Sequence, residues 1–182
     1  MSVVQVIRAA DCADVPWKNG GGTTREIAVF PPGAGMEDFL WRLSIARVER
    51  AGAFSAFDGV DRVLAVLDGR LRLSGPALDA RLDAQSAPLA FDGGAALAGE
   101  PIHGPVRDLN AMARRGQYAV SMSRLEAGDL APCAGTGFIV ALEPQALGEL
   151  WLDRLDVARI DAPAAAQGRA LHVDFIRKIA VD

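Results

Sequence analysis

The chain has 182 residues, of which 51% are hydrophobic and 23% are charged, and its formal net charge is −4. This length allows one domain or two small fused domains with a sizeable core, and the composition is that of a globular rather than a disordered chain. The acidic balance argues against a general nucleic-acid binder, because such proteins usually carry a basic face.

The N-terminal segment, residues 1–12, lacks the features of a targeting sequence. Its apolar run is broken by Arg8 and Asp11, and it has no apolar h-region of a secretory signal. No uninterrupted apolar stretch of the sequence approaches the ~18 residues of a membrane span. We therefore expect a soluble cytoplasmic protein. Its two cysteines, Cys12 and Cys133, are expected to be reduced thiols, since their spacing fits no metal site.

The stretch VPWKNGGGTTREI, residues 15–27, stands out because three consecutive glycines follow Trp17, Lys18 and Asn19. It is not a phosphate-binding loop of the Walker type. That motif places its lysine after the glycines and before a helix, whereas here a strand-like run follows. Two interpretations remain open. The glycines form an Asn-Gly turn, or their backbone amides face an anion together with Lys18 and Arg25.

Alternation of apolar and polar residues predicts strands for most of the chain. In residues 40–48, Leu43 and Ile45 fall on one face, and Arg42 and Ser44 fall on the other. Further strands are predicted at 62–73 (two strands joined by an Asp-Gly turn), 118–126, 138–143 and 171–179, with a short helix at 144–150 and a loop at 162–168. The predicted class is all-β, as a barrel or a sandwich.

An internal repeat relates residues 41–67 to residues 118–143. The strand phases coincide at an offset of 77, and after a one-residue gap glycines such as Gly52 and Gly128 align at an offset of 76. Agreement of strand phase and glycine spacing predicts a duplicated unit. Two small β-barrels built in this way would suit the length and leave few exposed sheet edges.

Three blocks of the sequence resemble a known family: PWKNGGGTTREI (16–27), WRLSIARVERAGAFSAFDGVDRVLAVLDG (41–69) and DLNAM (108–112). In this order they resemble the HutD/Ves family over most of the chain. The resemblance implies a double-cupin (bicupin) fold of two β-barrels, which agrees with the repeat. We place the first barrel in residues 1–104 and the second in residues 105–182 of one compact bicupin unit, with an approximate boundary and with exchange of strands between the barrels left open. The resemblance also implies a regulator of histidine utilisation that binds a small carboxylate or formyl intermediate.

Scarcity of histidine argues against a metal site. A histidine-rich cupin metal site needs two or three imidazoles and a carboxylate, whereas this chain has only His103 and His172. The turn region of the first repeat, residues 52–69, contains neither of them. We predict His103 in a loop, His172 on the final strand, and no metal or cofactor, with only a carboxylate site left open.

The sequence favours a binding protein over an enzyme. It contains no GxSxG elbow and no Cys/His spacing that suggests a nucleophile. A general base would have to be Glu26, Asp108, Lys18 or a histidine, and no motif marks any of them. The alternative function is a metal-independent enzyme acting on a small acid, with Glu26 as the base.

Arg42 has two interpretations, because an arginine flanked by apolar residues on a central strand is costly to bury unpaired. It forms a structural ion pair with Glu26 or Asp108, or it holds a ligand carboxylate with two hydrogen bonds. Trp17 likewise either walls a pocket or packs in the core. Arg62 begins a strand beside a turn, and we predict that it is solvated at the surface.

We predict that a pocket of the first barrel binds a small anionic metabolite, for which the resemblance suggests formylglutamate, formate or urocanate. The predicted ligand-binding residues are Trp17, Lys18, Asn19, Gly20, Gly21, Gly22, Thr23, Arg25, Glu26, Arg42, Ser44, Asp108 and Asn110. We expect no contact with nucleic acid or a membrane. A homodimer and a protein partner for the barrel are left open.

Overall fold

The computed structural model describes residues 3–179, in which the regular secondary structure is almost entirely strands, so the predicted all-β class is confirmed. The strands up to residue 114 are β1 (Val3–Ile7), β2 (Asp14–Pro16), β3 (Gly22–Phe30), β4 (Trp41–Val48), β5 (Gly52–Ala53), β6 (Val60–Asp68), β7 (Arg70–Gly75), β8 (Leu78–Asp83), β9 (Leu89–Asp92), β10 (Ala98–Pro101) and β11 (Val106–Arg114). The strands that follow are β12 (Tyr118–Leu125), β13 (Leu130–Ala131), β14 (Thr136–Ala141), β15 (Gln145–Leu147), β16 (Leu150–Leu152), β17 (Val157–Ile160), β18 (Ala164–Ala165) and β19 (Ala170–Arg177). Residues 1–2 and 180–182, at the ends of the two predicted barrels, lie outside the described range.

Helical structure is minor in this fold. A short 3-10 helix, Ala9–Asp11, follows β1. Within residues 3–179, no helix is both long enough and apolar enough to cross a membrane.

Contacts between strands group the described residues into two compact units. The central unit is Ala13–Arg115, and the terminal unit consists of residues 3–12 together with residues 116–179. The boundary between the two barrels predicted from the sequence follows residue 104, ahead of β11. The contacts group β11 with the preceding strands because it pairs with β4 and β6. They group β1 with the later strands because it pairs with β17.

The central unit contains a six-stranded sheet in the order β2-β3-β4-β11-β6-β9 and a four-stranded sheet in the order β5-β10-β7-β8. Its apolar core includes Leu64 and Val66 of β6, Leu71 of β7 and Val106 of β11. These residues alternate along their strands, so one face of each strand contributes to the core. The opposite ends of the same strands hold the polar residues described below.

The terminal unit contains a five-stranded sheet in the order β1-β17-β14-β19-β12, with the small pairs β13-β18 and β15-β16. Its core includes Leu125, Ile139, Leu152 and Ile160, all buried. Apolar burial at about 25 cal/mol per Å² of surface is the main stabilising contribution to such a core.

The two units share one pattern of strand pairing. In the central unit, β11 pairs with both β4 and β6, while β6 also pairs with β9. In the terminal unit, β19 pairs with both β12 and β14, while β14 also pairs with β17. The pairs β5-β10 and β7-β8 correspond in the same way to β13-β18 and β15-β16.

The predicted strands agree with the structure, whereas the short helix predicted for residues 144–150 is wrong. That segment forms the hairpin of β15 and β16. Gly148 has a φ of 61° at its turn, a conformation that glycine adopts without the steric cost other residues incur. Gln145 and Leu147 are both buried with a half-buried residue between them, which is the period of a strand rather than of a helix.

Asp156 fastens the N-terminal segment to the rest of the terminal unit. Its Oδ1 accepts a hydrogen bond from the Ala9 amide at 2.9 Å, and its Oδ2 accepts one from Arg8 Nη1 at 2.6 Å. The amide of Asp153 donates to the same carboxylate at 3.0 Å. Burial alone would raise the pKa of Asp156, but the hydrogen bonds from Arg8 and the two amides lower the pKa below its ordinary value.

We expect Asp156→Ala to lower the free energy of unfolding by about 2–4 kcal/mol, because it removes an ion pair and leaves the buried Ala9 amide without its acceptor. The contribution of Asp156 is present at neutral pH and is lost as the pH falls through the lowered pKa. Urea unfolding at neutral and acidic pH measures both effects. The exposed Asp161 provides a control, and an equal loss in Asp161→Ala would contradict this role of Asp156.

Candidate binding cavity

A cavity of about 690 Å³ opens within the central unit. Its floor is one face of β3, β4, β11 and β6, and its sides come from the loop after β2 and from the segment between β5 and β6. The lining residues are Val15, Pro16, Trp17, Lys18, Asn19, Thr24, Glu26, Met36, Arg42, Ser44, Ala46, Ala53, Phe54, Ser55, Phe57, Arg62, Asp108, Asn110 and Met112.

Strand register places the polar side chains of the floor in adjacent rows. On β11 and β4, Asp108 is paired with Ala46, and Asn110 is paired with Ser44. The next row pairs Met112 with Arg42. Because every second residue of a strand points to the same face, these side chains all face the cavity.

Arg42 forms an ion pair inside the cavity, as one of the two interpretations of the sequence anticipated. Its Nε donates to Glu26 Oε2 at 2.8 Å, and its Nη1 lies 3.4 Å from Ser44 Oγ. The Arg42 side chain is 11% exposed, whereas the Glu26 side chain is 45% exposed. The pair therefore has its cation inside the cavity and its carboxylate towards solvent, where screening weakens the attraction.

Arg62 is buried, so the prediction that it is solvated at the surface is wrong. Its guanidinium lies 5.5, 5.6 and 5.0 Å from the ring centroids of Phe54, Phe57 and Phe91. Its Nη1 donates to the Ser55 carbonyl at 3.0 Å, and its Nε lies 3.4 Å from Asn110 Oδ1. The rings stabilise the cation through cation–π attraction, and the two oxygens accept hydrogen bonds from it.

Burial lowers the pKa of Arg62 to about 10, partly opposed by the charge of Asp108. The charge of Arg42 lowers this pKa further, because two cations repel each other. A pKa of about 10 still leaves Arg62 charged at neutral pH. The cavity therefore holds two guanidinium cations whose charges interact.

Asp108 is fully buried at the cavity floor. Neither of its carboxylate oxygens has a hydrogen-bond partner within residues 3–179. Burial raises the pKa of this carboxyl to about 7, and the nearby charge of Arg62 opposes the rise. Near neutral pH a proton on Asp108 is therefore gained or lost easily.

The glycine-rich loop is a turn that holds the cavity wall. The Gly20 amide donates to the Trp17 carbonyl at 2.9 Å, and the Gly21 amide donates to Asn19 Oδ1 at 2.9 Å. Trp17 Nε1 donates to Thr24 Oγ1 at 2.7 Å and so holds the indole over the floor. The amides of Gly20 and Gly21 are thus already used within the loop.

Close packing explains the last glycine of the run. A Cβ on Gly22 would lie 2.1 Å from the Arg47 carbonyl oxygen and 3.2 Å from the Trp17 ring. Only glycine permits this approach of β3 to β4.

Of the predicted binding residues, eight line the cavity: Trp17, Lys18, Asn19, Glu26, Arg42, Ser44, Asp108 and Asn110. Five lie outside the lining: Gly20, Gly21, Gly22, Thr23 and Arg25. Thr23 and Arg25 alternate with the lining residues Thr24 and Glu26, so they belong to the other face of β3. Arg25 forms an ion pair there with Asp14, with 2.8 Å between Nη2 and Oδ2.

Sequence reasoning missed eleven of the lining residues, among them Thr24, Met36, Phe54, Phe57 and Arg62. A signal existed for Arg62, since it alternates in phase with Leu64 and Val66 in a run that is apolar on both faces. Phe54, Phe57 and Met36 come from irregular segments, where no periodicity indicates direction.

Metal-ligating side chains do not cluster in the described part of the chain. Among residues 3–179, no group of three or more His, Cys, Asp and Glu residues is placed to hold a metal ion. His103 lies between β10 and β11, and His172 lies on β19, both as predicted.

The fold and the cavity define an all-β protein with cupin-like structural neighbours. One is a cupin 2 conserved barrel domain protein from Leptotrichia buccalis, with a TM-score of 0.57 and 9% identity over 98% of each chain, a likeness in fold alone. The chain belongs to the HutD family, whose profile matches residues 9–172.

Individual relatives agree with the predicted HutD/Ves relationship, which is confirmed. HutD from Pseudomonas fluorescens SBW25, solved in a formate condition, has a TM-score of 0.87 and 29% identity over 96% of this chain and 99% of that chain. A 21.2 kDa protein of the hutC 3′ region of Pseudomonas putida is 41% identical over 113 residues, which cover 60% of this chain and 58% of that protein. Protein Ves from Citrobacter koseri is 40% identical over 101 residues, covering 54% and 52%. The chain thus spans a little over half the length of these last two relatives.

We expect Asp108→Asn to become more stable relative to the wild type as the pH rises. The raised pKa means that folded Asp108 keeps its proton up to about pH 7. The stability that the protonated Asp108 carboxyl contributes is fully present below the ordinary carboxyl pKa. It is lost as the pH rises through the pKa of Asp108 in the folded protein. The difference in unfolding free energy should change on the order of 2–4 kcal/mol between about pH 4 and about pH 8.

Urea unfolding of both proteins across this pH range measures the difference and cancels the titration of all other groups. Ser44→Ala, a change in the same cavity that removes no titratable group, is the matched control. A difference that stays constant with pH would contradict the raised pKa of Asp108.

Proposed function

We propose that the cavity binds a small carboxylate and that the protein is a metal-independent metabolite sensor, a regulator of histidine utilisation. The supporting observation is that the guanidinium groups of Arg42 and Arg62 face one cavity and repel each other. Of these two arginines, only Arg42 has a carboxylate within ion-pair distance among residues 3–179. An anion bound near both would relieve their repulsion.

The charge of the lining favours an anion. It contains the cations Lys18, Arg42 and Arg62 against the carboxyls Glu26 and Asp108, and Asp108 is partly protonated near neutral pH. At a separation of about 4 Å and an effective dielectric constant of about 20, one pair of opposite charges attracts by about 4 kcal/mol before desolvation. Two arginines near one carboxylate therefore offer enough attraction to offset part of its dehydration.

The size and walls of the cavity suit a small organic acid. Its volume of about 690 Å³ falls within the roughly 300–1,000 Å³ typical of small-molecule sites. Trp17, Phe54 and Phe57 provide apolar walls, and Ser44 and Asn110 provide hydrogen-bonding atoms. Apolar walls with a few polar groups are typical of sites that orient a small ligand.

Names of relatives support the choice of pathway. The Pseudomonas putida relative is described by its place in the hutC 3′ region, and HutD from Pseudomonas fluorescens was solved in a formate condition. We propose formylglutamate, formate or urocanate as the ligand class. We further propose that the protein acts in the cytoplasm without direct contact with nucleic acid or a membrane.

We also propose that the two units are the cupin barrels of an internal duplication. β12 and β14 begin at offsets of 77 and 76 residues from β4 and β6, which are the offsets of the sequence repeat. The shared order of strand pairing supports the same interpretation. In this scheme each strand from β4 to β11 has its counterpart in the series from β12 to β19.

A second candidate function is a metal-independent enzyme that acts on a small acid. Glu26 lines the same cavity as the arginines and is 45% exposed, so it could reach a bound substrate as a general base. Its ion pair with Arg42 argues for the binding function, because the carboxylate is already engaged.

Arg42→Leu tests the binding proposal. We expect this variant to fold and to lose the rise in melting temperature that the wild type shows with formate, formylglutamate or urocanate, because a ligand that binds only the native state must stabilise it. The loss should correspond to about 1.5–3 kcal/mol of binding free energy for a hydrogen bond to a charged group. Thermal unfolding with each acid is the measurement.

Arg81→Leu is the matched control, because Arg81 is an exposed arginine of the same unit outside the cavity. If an acid that stabilises the wild type stabilises Arg42→Leu to the same extent, the proposed role of Arg42 is wrong. If none of the acids stabilises the wild type, the sensor proposal fails and a protein partner becomes the better candidate.

Glu26→Gln separates the two functions. A sensor should show no turnover of these acids, and its affinity should rise by up to about fivefold, since Arg42 loses a competing carboxylate worth roughly 0.2–1 kcal/mol. If the protein is an enzyme with Glu26 as its base, the wild type should turn over the substrate. The Glu26→Gln variant should then bind the substrate without turning it over. Product formation and binding calorimetry on the same preparations distinguish these outcomes.

A further inference from the structure

We propose that Asp108 accepts a hydrogen bond from the ligand, so that the cavity selects a small acid with an N–H group a few bonds from its carboxylate. This inference rests on the proposed function of the cavity as a carboxylate site. It adds a second requirement, that the ligand also carries a hydrogen-bond donor. Arg42 and Arg62 would receive the anionic end of the ligand, and Asp108 would receive its donor.

Asp108 receives no hydrogen bond from the described part of the protein. It is fully buried, and neither carboxylate oxygen has a partner within residues 3–179. The residues paired with it on the neighbouring strands, Ala46 and Val66, have apolar side chains. Asn110, the next residue on the same face, directs its Oδ1 towards Arg62. A buried acceptor without a donor is destabilising, so a ligand that provides the donor gains affinity.

Geometry of the floor sets how far apart the two ligand groups lie. The Arg42 side chain extends along β4 and contacts Ser44. The row of Ser44 and Asn110 on the floor is adjacent to the row of Ala46 and Asp108. Adjacent rows on one strand face are separated by about 6.5–7 Å. A carboxylate bound beside Ser44 and a donor bound at Asp108 are then separated by only a few covalent bonds. Ala46, which is paired with Asp108, lines the cavity beside it.

Charged groups around Asp108 favour its ionised form only in part. The charge of Arg62 on β6 favours the ionised carboxylate. Arg42 on β4, Glu26 on β3 and Lys18 on the loop wall are the other charged groups of the lining. Because burial raises the pKa of Asp108 to about 7, the fraction of ionised acceptor increases as the pH rises through that value. The advantage of an N–H ligand should increase over the same range.

Two probes that differ in a single group test the inference: N-acetylglycine and 4-oxopentanoate, in which a CH₂ group replaces the N–H. Binding calorimetry on the full chain at about pH 8 should show N-acetylglycine binding the wild type about tenfold more tightly, which corresponds to about 1.4 kcal/mol. In Asp108→Leu the preference should disappear or reverse, since the N–H then loses its acceptor.

A second variant keeps the test decisive if Asp108→Leu does not fold. Asp108→Asn retains an acceptor oxygen but cannot ionise, so it should keep a smaller preference for N-acetylglycine that no longer changes with pH.

Equal affinity of the wild type for both probes would overturn this inference and leave the proposed carboxylate site standing. That result is expected if a protonated Asp108 donates to the ligand carboxylate instead. Failure of both probes to bind would overturn the inference, and failure of formate, formylglutamate and urocanate as well would overturn the proposed function.

Discussion

The pairing of β11 with both β4 and β6 is the constraint on which the cavity depends. A strand with neighbours on both sides has its backbone hydrogen bonds satisfied and its register set. Asp108 and Asn110 are therefore held in rows beside Ser44 and Ala46. A shift of one residue in the register of β11 would place these polar side chains on the apolar face of the sheet. Apolar side chains of β11 would then face the cavity.

Charges placed on this floor are stabilised by different means. Arg62 is surrounded by aromatic rings and carbonyl-type acceptors, whereas Arg42 uses an ion pair with a carboxylate nearer to solvent. The Asp108 carboxylate has no hydrogen-bond partner among residues 3–179. The floor is thus partly satisfied by the protein itself, and the groups left unsatisfied are the basis for the proposed ligand, an anion with a donor group.

Much of this arrangement follows from period-two alternation in the sequence. Alternation places Arg42, Ser44, Asp108 and Asn110 on their shared faces, and the structure brings all four to one cavity. It could equally have separated Thr23 and Arg25 from Glu26, which lies on the other face of β3. Direction within loops has no such rule, so the inward position of Phe54 and the internal use of the Gly20 and Gly21 amides depend on tertiary packing that local patterns do not encode.

The unpartnered carboxyl of Asp108 has a consequence for engineering. Proteins lie close to a stability threshold, and polar groups kept for function commonly reduce stability. A screen that rewards thermostability alone would favour apolar replacements at Asp108, because they relieve a buried charge. Such a variant would gain stability while the floor of its cavity lost a hydrogen-bond acceptor. Resistance to heat and retention of this acceptor are therefore competing selection criteria in this protein.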